Sequence, residues 1–309
     1  MQVSFIIPLY NCLPLTQAML ASLQQTLPTG IAAEIIFVDD GSTDGTREWL
    51  AGLTAPCRVL LNETNRGFAV TCNRGAAVAT GDFLVFLNND LVLQPRWLEP
   101  MLAAFARFPD VGLVGNIQRN AATGAVDHSG IFFNYKGKPE HDTARPLMAR
   151  LTGYRRVTAL TGACFAIRHS TWKQFEGFDE IFVNGAEDVD LCLRASAAGY
   201  RHYLALRSVV EHHISQSTGR KLRDEQNTHR LLLRWQDTIT RQIARVWCWH
   251  HLETYWADPR DFPDQALARQ AFFYVLRLRP HPPAGAEPGA RLALATEFAR
   301  WANLPTAPA

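Results

Sequence analysis

Residues 82–90 read DFLVFLNND, a short apolar run that ends on three polar side chains. The five residues 83–87 are too few for most helices and suit a strand that is buried on both faces. Ligands bind at the carboxyl ends of strands in an open parallel sheet, and this strand ends on Asn88, Asn89 and Asp90. A carboxylate beside two amides can hold a hard cation that binds phosphates, while the same residue types are also common in turns. For this stretch alone, a ligand site and a turn are both open.

The composition is that of a globular chain with a nearly balanced charge. Of the 309 residues, 47% are hydrophobic and 19% are charged, which supplies a sizeable core and argues against disorder. The basic residues are spread along the chain, so we expect no nucleic-acid partner. The six cysteines form no CxxC pair and are typical of a reducing compartment. The chain enters a strand at once and lacks an apolar run of about 18 residues, which predicts a cytoplasmic protein without a signal peptide or membrane span.

Strand-like and helix-like segments alternate through the first part of the chain. The apolar spacing predicts strands at 3–9, 34–38, 58–61, 83–87 and 111–114, and helices from residue 14 and at 67–79 and 95–108. This order predicts a doubly wound parallel sheet flanked by helices. Polar residues follow three successive strands, and a nucleotide-sized crevice is expected at that edge of the sheet. Each polar cluster by itself can also be a turn or a helix cap.

Residues 116–154 are rich in Gly, Asn, Pro, His and Lys, and only a short strand at 130–133 is predicted there. So long an irregular segment inside a compact domain is typical of a binding loop. Strand character resumes at 160–167 and again at 200–213, where the strand ends on two histidines. Successive side chains of a strand alternate between its faces, so at most one of these histidines is expected to face a site.

The helix predicted at 187–198 begins with acidic residues. Carboxylates in a first turn complement the helix dipole, which explains Glu187, Asp188 and Asp190 in structural terms. Asp190 also lies four residues before Arg194, a spacing that predicts a plain surface ion pair. Glu187 and Asp188 follow a flexible loop and can instead project into the crevice.

Beyond residue 220 the sequence becomes helical and rich in tryptophan. Apolar residues follow helical spacing through 232–246, and a tryptophan-rich cluster follows at 247–256. A linker is predicted at 280–290 and a final helix at 290–302.

We therefore predict two domains, a main domain of residues 1–220 and a C-terminal helical extension of residues 221–309. The apolar stripe of the extension can pack inside the chain or in a homodimer. It can also lie peripherally on the inner face of a membrane, as amphipathic helices with tryptophan do.

The ordered motifs of the chain resemble those of the family 2 inverting glycosyltransferases with the GT-A fold, especially the rhamnosyltransferase-like members that add a single sugar. The motifs are IIPLYN at 6–11, VDDGSTDGT at 38–46, NRGFAVTCNRGAAVATGDFLVFLNND at 65–90, TGACFAIR at 161–168, GFDE at 177–180, EDVDLCLR at 187–194 and the segment 212–217. The resemblance covers residues 3–235. It implies an α/β fold with a Rossmann-like, mostly parallel sheet flanked by helices and a C-terminal helical extension. Arg234 and Trp235 lack the preceding glutamine of the QxxRW signature, which argues against a processive polymer synthase.

The resemblance implies a role for each polar cluster. The nucleotide sugar would be bound by Pro8, Tyr10, Asn11, Asp39, Asp40, Asn65, Gly67, Asn73, Asn88 and Asn89. Asp90 would be the main ligand of Mg²⁺ or Mn²⁺, because Asn88 stands at the first position of the family's DxD motif. His212, which precedes a serine by five residues, would complete the metal or diphosphate site. Asp188, with Glu187 beside it, would be the general base.

These roles predict the transfer of one sugar from a nucleotide-diphosphate sugar to a saccharide or lipid-linked acceptor, in surface polysaccharide or glycoconjugate assembly. The metal ion would stabilise the leaving diphosphate, and the base would take the proton of the acceptor hydroxyl. The acceptor is expected to be selected by residues 116–154. A sugar-phosphate nucleotidyltransferase is an alternative, although residues 8–14 (PLYNCLP) lack its glycine-rich, arginine-containing loop. A non-catalytic nucleotide-sugar-binding module is another, although it would need neither Asp90 nor Asp188.

Overall fold

The structure is a computed structural model, and it describes residues 1–144, 153–213, 220–257 and 264–302. The chain divides into two compact units. We call Met1–Ile131 with His141–Arg220 the first unit, and Phe132–Glu140 with Lys221–Ala309 the second unit. The assignment of a catalytic domain to residues 1–220 and of an extension to residues 221–309 stays a prediction.

A mixed sheet of ten strands is the framework of the first unit within the described residues. The strands of the chain are β1 (Gln2–Leu9), β2 (Ala32–Asp39), β3 (Cys57–Leu61), β4 (Phe83–Leu87), β5 (Leu91–Leu93), β6 (Val111–Asn120), β7 (Val126–His128), β8 (Ile131–Phe133), β9 (Pro139–His141), β10 (Tyr154–Val157), β11 (Cys164–Arg168) and β12 (Arg201–His212). Eight of them run in the order β10-β12-β6-β11-β4-β1-β2-β3, with β5 beside β12 and β7 beside β6. Strands β8 and β9 form a separate two-stranded sheet.

Parallel pairing brings the predicted polar strand ends to one edge of the sheet. β1 is parallel to β2 and to β4, and β2 is parallel to β3. β11 runs antiparallel between β4 and β6, so it begins where β4 ends. The flanking helices are α1 (Leu13–Thr26), α2 (Thr46–Ala51), α3 (Phe68–Ala77), α4 (Leu98–Arg107), α5 (His169–Gln174) and α6 (Glu187–Ala197). The mostly parallel α/β fold class is confirmed.

Strand β4 is buried on both faces, as its apolar run predicts. On one face, Val85 joins a core cluster that includes residues of α1 and α4. On the other face, Phe86 stacks on Phe165 of β11 with 4.7 Å between the ring centroids. Helix α3 approaches the sheet closely because Gly75 lies over Ile6, where a Cβ atom would come within 2.7 Å of the Ile6 Cγ2 atom. These contacts hold the carboxyl end of β4 in a rigid frame.

Strand β6 is longer than the predicted strand at 111–114. It continues to Asn120 because it pairs with β11, β12 and β7 along its length. This pairing buries Asn116 and Gln118, whose polar side chains hide the strand in the sequence pattern. The predicted binding loop therefore starts with regular structure, and its residues 145–152 lie outside the described part of the chain.

The described part of the second unit is built mainly from three helices. These are α7 (Arg220–Ala257), α8 (Gln265–Val275) and α9 (Ala286–Ala302). α7 has non-helical backbone angles at Trp235, where two helical segments meet at a kink. Cys248 and Leu252 of α7 pack in one cluster with Ala268 and Ala271 of α8. Within the described residues, no helix is long and apolar enough to cross a bilayer.

The linker predicted at 280–290 is shorter in the structure, because α9 begins at Ala286. Pro288 lies in the first turn of this helix, where its missing N–H breaks no intrahelical hydrogen bond. Gly289 allows the helix to lie against Trp247, since a Cβ atom there would come within 2.0 Å of the indole ring. Tertiary packing thus extends a helix into a segment whose composition is that of a loop.

Candidate active site

The three polar residues after β4 have different surroundings. Asn89 faces α1, where its Nδ2 atom donates to Thr16 Oγ1 at 2.9 Å and to the Asn11 carbonyl at 3.3 Å. Asn88 is bound through its backbone N–H, and its half-exposed side chain makes no hydrogen bond to the described residues. Asp90 is buried and turns its carboxylate towards β12. The fold therefore engages the amide nitrogen of Asn89 and leaves the side chain of Asn88 and the carboxylate of Asp90 at the strand end, while a contact of Asn88 or Asn89 with the nucleotide sugar stays a prediction.

Asp90 and His212 lie next to each other at the carboxyl ends of β4 and β12. The Oδ1 atom of Asp90 is 3.3 Å from Nε2 of His212, and Nδ1 of the same ring is 3.4 Å from Oδ2 of Asp127. Burial alone would lower the pKa of His212, but the carboxylates of Asp90 and Asp127 outweigh it and raise the pKa above its ordinary value. The arrangement is a carboxylate, a histidine and a second carboxylate in a row.

The Asp90–His212 pair fits a divalent metal ion. The Oδ1 atom of Asp90 is buried without a hydrogen-bond partner in the described residues, and it faces the Nε2 atom of His212. In the same part of the chain, no group of three or more His, Cys, Asp or Glu side chains is placed to hold an ion. Mg²⁺ bound to nucleotides commonly takes only one or two protein ligands and completes its shell with phosphates and water. Asp127 would then orient the histidine from behind, as carboxylates do for histidine ligands.

Asp39, at the end of β2, organises the loop that follows it. Its side chain is fully buried, and its Oδ2 atom accepts hydrogen bonds from the N–H groups of Gly41 and Ser42, each at 3.2 Å. The Nε atom of Arg47 donates to the same oxygen at 2.7 Å. The loop is thereby fixed at the edge of the sheet, while a direct contact of Asp39 with a nucleotide stays a prediction.

Asp40 holds the start of α3 in a similar way. Its Oδ1 atom accepts from the Arg66 N–H at 2.8 Å and from Asn62 Nδ2 at 2.7 Å, and its Oδ2 atom accepts from the Gly67 N–H at 2.9 Å. Asn62 is buried and also donates to Thr71 Oγ1 at 3.1 Å. The structure therefore brings Asp40 and Gly67, two of the predicted site residues, into contact, and Asn62 belongs to the same hydrogen-bonded group.

The carboxyl end of β1 lies at the same edge of the sheet. Pro8 is buried in the strand, whereas the Tyr10 side chain is 50% exposed and free to stack on a base. Asn11 has a positive φ of 57° and accepts a hydrogen bond from the Thr43 N–H at 2.8 Å through its Oδ1 atom. Asn65 is exposed on the neighbouring loop. These positions agree with a nucleotide site, but the individual contacts stay predictions.

Asn73 of α3 is hydrogen-bonded to the segment that follows α5, and a contact of its side chain with the nucleotide sugar stays a prediction. Its Nδ2 atom donates to the Phe178 carbonyl at 2.9 Å and to Glu180 Oε1 at 3.0 Å, and its Oδ1 atom accepts from the Phe178 N–H at 2.9 Å. It also borders a cavity of about 390 Å³ that is lined by His169 and Trp172. The structure gives Asn73 the role of joining α3 to the segment after α5.

Asp188, in the first turn of α6, lies beside the end of β4. Its Oδ2 atom accepts a hydrogen bond from the Gly162 N–H at 2.6 Å, and its Oδ1 atom accepts from the Val189 N–H at 2.8 Å. The next residue, Ala163, accepts through its carbonyl from the Asn88 N–H at 2.8 Å. Burial raises the pKa of Asp188 above its ordinary value, although the two N–H donors oppose this shift.

Glu187 closes the loop that precedes α6. It is buried, and its Oε2 atom accepts from the Gly185 N–H at 2.6 Å. Asn184 of the same loop has a positive φ of 56° and accepts from the Phe68 N–H at 2.8 Å through its Oδ1 atom. Glu187 therefore shapes the loop beside Asp188, and a catalytic role for Glu187 stays a prediction.

A family model described as "Glycosyl transferase family 2" matches residues 4–175, which is more than half of the chain. The chain belongs to glycosyl transferase family 2. An uncharacterized protein y4gI of Sinorhizobium fredii is 29% identical over 282 residues, covering 87% of this chain and 30% of that protein. The N-acetylglucosaminyl-diphospho-decaprenol L-rhamnosyltransferase of Mycobacterium tuberculosis is 28% identical over 234 residues, covering 68% of this chain and 76% of the relative. The predicted rhamnosyltransferase-like membership of family 2 is confirmed.

A solved glycosyltransferase structure shares the fold of this family 2 chain. The crystal structure of GalNAc-T7 with UDP, GalNAc and Mn²⁺ superimposes with a TM-score of 0.60 at 18% identity. The match covers 71% of this chain and 44% of that one. The predicted GT-A architecture is thereby confirmed.

The spacing of Asp190 and Arg194 in this family 2 chain predicts a surface ion pair, but Asp190 is buried. Its side chain is fully buried, and Arg194 Nε donates to its Oδ2 atom at 2.7 Å. The same guanidinium donates to the carbonyls of Phe175 and Gly177. The ion pair predicted from the spacing is present, but it anchors α6 to the turn after α5 instead of lying on the surface.

The sequence assigned no site role to two residues that the structure places beside the candidate site. Asp127 comes from a three-residue strand, too short to show a period, and Asn62 lies in a loop after β3. A polar side chain directly after a predicted strand is the signal that points to Asn62. No local signal marks Asp127, because its partner His212 is distant in the chain. Ser217, the serine five residues after His212 in the family motif, lies outside the described residues.

Proposed function

We propose that this chain transfers one sugar from a nucleotide-diphosphate sugar to an acceptor hydroxyl, with a divalent metal ion and with inversion at the anomeric carbon. One observation carries the proposal. The turn of Gly162 and Ala163 binds Asp188 on one side and the backbone of Asn88 on the other, which holds a carboxylate beside the Asp90–His212 pair. A metal-ligand pair and a separate base are the two parts that such a transfer needs.

Each side chain has a defined task in this proposal. Asp90 and His212 would hold Mg²⁺ or Mn²⁺, which when bound stabilises the negative charge of the leaving diphosphate. Asp188 accepts the proton of the acceptor hydroxyl as the hydroxyl oxygen attacks the sugar. Its pKa is raised by burial, which makes its carboxylate a stronger base than one in water. The N–H of Gly162 keeps that carboxylate in place.

The nucleotide is expected to bind along the edge formed by the ends of β1, β2 and β4. Tyr10 offers an exposed ring for stacking on the base. The loop fixed by Asp39 lies at the same edge of the sheet, where Asp39 and Asp40 are expected to border the base and the ribose. We further propose that residues 1–220 are the catalytic domain and that residues 221–309 are an extension of it.

For the acceptor we propose a lipid-linked saccharide in surface polysaccharide assembly. The support is the likeness to a relative whose name specifies a diphospho-decaprenol-linked acceptor and L-rhamnose as the transferred sugar. L-Rhamnose is therefore the first donor sugar to test. The acceptor is expected to contact the segment 116–154.

A screen of nucleotide sugars with Mn²⁺ or Mg²⁺ tests the proposal. We expect one nucleotide sugar to be hydrolysed slowly to free nucleoside diphosphate, and faster with a saccharide acceptor. Binding of a nucleotide sugar without release of nucleoside diphosphate would indicate a non-catalytic module instead. Release of pyrophosphate from a nucleoside triphosphate and a sugar phosphate would indicate a nucleotidyltransferase.

A further inference from the structure

The second unit exposes a continuous aromatic and aliphatic surface where α7 ends and α8 runs. We call it the aromatic surface and define it by Trp256, Phe272, Phe273, Leu276 and Leu278, which are 53%, 39%, 44%, 50% and 70% exposed. Its rings touch one another: the centroids of Trp256 and Phe272 are 6.4 Å apart, and those of Phe272 and Phe273 are 5.8 Å apart. Soluble proteins seldom leave so many large apolar side chains together in water.

Helix α8 has a buried face, so the exposure of these apolar side chains has another origin. Helix α8 turns Ala268 and Ala271 towards Cys248 and Leu252 of α7, and these four residues form a closed small core. The helix is therefore already packed on one side with small residues. Tyr274 and Val275 pack partly against this core, whereas Phe272 and Phe273 lie exposed, although large apolar side chains of a globular helix usually face the core.

The aromatic surface is combined with positive charge. Residues 265–286 contain Arg269, Arg277 and Arg279 and no acidic residue. Arg269 lines the same shallow cavity of about 280 Å³ as Trp256 and Phe273. The surface is thus both apolar and basic.

Among the described residues at the margins of the aromatic surface, the acidic side chains of Glu253 and Asp264 are engaged in the fold. Glu253 accepts a hydrogen bond from Trp249 Nε1 at 2.6 Å. Asp264 caps α8 by accepting from the Leu267 N–H at 2.8 Å. Neither carboxylate interrupts the run of arginines within residues 265–286.

We propose that the aromatic surface binds peripherally to a lipid bilayer that carries anionic headgroups. Tryptophan and phenylalanine prefer the boundary between headgroups and acyl chains, and arginine beside them binds the anionic headgroups. A dimer interface would bury the apolar side chains equally well, but it would bring three arginines of each copy close to those of the other. The charge of the surface therefore favours an anionic bilayer over a second copy of the chain. The proposal does not depend on the identity of the donor or of the acceptor.

Flotation of the full chain with two kinds of vesicle tests the proposal. One kind is pure phosphatidylcholine, and the other contains equal parts of phosphatidylcholine and phosphatidylglycerol. We expect the protein to float with the anionic vesicles and to stay at the bottom with the neutral ones. The double variant Phe272→Ser/Phe273→Ser and the double variant Arg277→Gln/Arg279→Gln should each lower the partition coefficient about tenfold or more.

The control is Leu292→Ser, which removes an exposed leucine of α9 outside the aromatic surface, where the side chain is 70% exposed. It should float like the unmodified chain, and all variants should keep the circular dichroism spectrum and thermal midpoint of that chain. Absence of flotation with anionic vesicles, or equal flotation of all variants, would overturn the proposal. A concentration-dependent dimer in light scattering that Phe272→Ser/Phe273→Ser abolishes, with no flotation, would assign the surface to a second copy instead.

Discussion

The Oδ1 atom of Asp90 lies 3.3 Å from the Nε2 atom of His212, although 122 positions separate the two residues in the chain. The antiparallel pairing of β5 with β12 creates this proximity, because Leu91 is the register partner of His212. The residue after the metal-binding candidate is therefore paired directly with the histidine. The short strand β5 thus brings the side chains of Asp90 and His212 together.

Replacing Asp90 with Ala should abolish metal-dependent binding of the donor. The adjacent Asn88 and Asn89 carry amides, and Asp127 faces the other ring nitrogen of His212, so the loss of affinity should exceed about 100-fold. Calorimetric titration of a nucleoside diphosphate in the presence of Mn²⁺ measures it. Asp82→Ala is the matched control, because Asp82 is an exposed carboxylate at the opposite end of β4. Equal affinity of the Asp90 variant and this control would refute the metal assignment.

Replacing Asp188 with Asn should leave donor binding intact and lower the rate of transfer by at least about 100-fold. The amide keeps the size of the side chain but cannot accept a proton. The rate is measured with saturating donor, and donor affinity is measured by titration. If transfer stays close to that of the unmodified chain, Asp188 acts only at the helix start.

The pH dependence of transfer should follow the ionisation of Asp188. Its folded-state pKa is raised above the ordinary 3.8, so the group stays protonated, and inactive as a base, to a higher pH than a carboxyl in water. Activity should therefore rise with pH through that raised pKa. A profile of kcat/KM against pH gives the midpoint. A midpoint at or below the ordinary value would contradict this role, and Asp188→Asn should remove the rise from any residual activity.

Replacing Glu297 with Gln should destabilise the second unit. Its buried carboxylate accepts from Arg300 at 2.8 Å and lies 3.0 Å from the Lys138 ammonium and 3.1 Å from that of Lys136. Burial would raise the pKa of Glu297, but these cations outweigh it and lower the pKa to about 2. Because the cations are partly exposed, the loss of unfolding free energy should be about 2 kcal/mol, between the values for buried and exposed pairs.

The sign of the pH effect at Glu297 follows from this lowered pKa. The contribution to stability is complete above the ordinary pKa of 4.5 and is lost as the pH falls towards 2. Denaturation of the unmodified chain and of Glu297→Gln should therefore differ at neutral pH and converge in acid. Glu287→Gln is the control, since the pair of Glu287 with Arg291 is exposed to solvent and should contribute little to stability. Equal effects of the two substitutions would contradict the prediction.

Replacing Gly41 with Ala should destabilise the first unit and weaken nucleotide binding. Gly41 has a φ of 89°, and a Cβ atom would lie 2.9 Å from the backbone nitrogen of Asn65, so the loop must shift. Gly124→Ala is the control for strain alone, because Gly124 also has a positive φ, of 69°, and has no atom within 4 Å of its Cβ position. In denaturant unfolding, we expect the control to lose about 1 kcal/mol of unfolding free energy and Gly41→Ala to lose at least twice as much. Equal losses would show that the loop accommodates the methyl group.

Much of the fold follows from local sequence patterns. The apolar runs of β1, β2 and β4 are continuous because both faces of those strands are buried, and they are visible without a structure. The full length of β6 and the strand β7 cannot be recognised from the sequence pattern. Asn116 and Gln118 are polar residues in a fully paired strand, and a three-residue strand such as β7 has no measurable period. Helix α8 was not predicted, because its fully buried positions are alanines while Phe272 and Phe273 are exposed, so the sequence shows no clear apolar stripe.

The sequence by itself determined the order of strands and helices and placed Asn88, Asn89 and Asp90 at the end of a buried strand, because hydrophobic burial acts on neighbouring residues of the chain. Only the tertiary structure decided which of these side chains faces a site. It turns Asn89 towards Thr16, and it places Asp90 between β4 and β12 beside His212. The reason is that hydrogen bonds and ion pairs act between atoms a few ångströms apart. Their partners come from distant strands, whose register is fixed only when the whole sheet has formed.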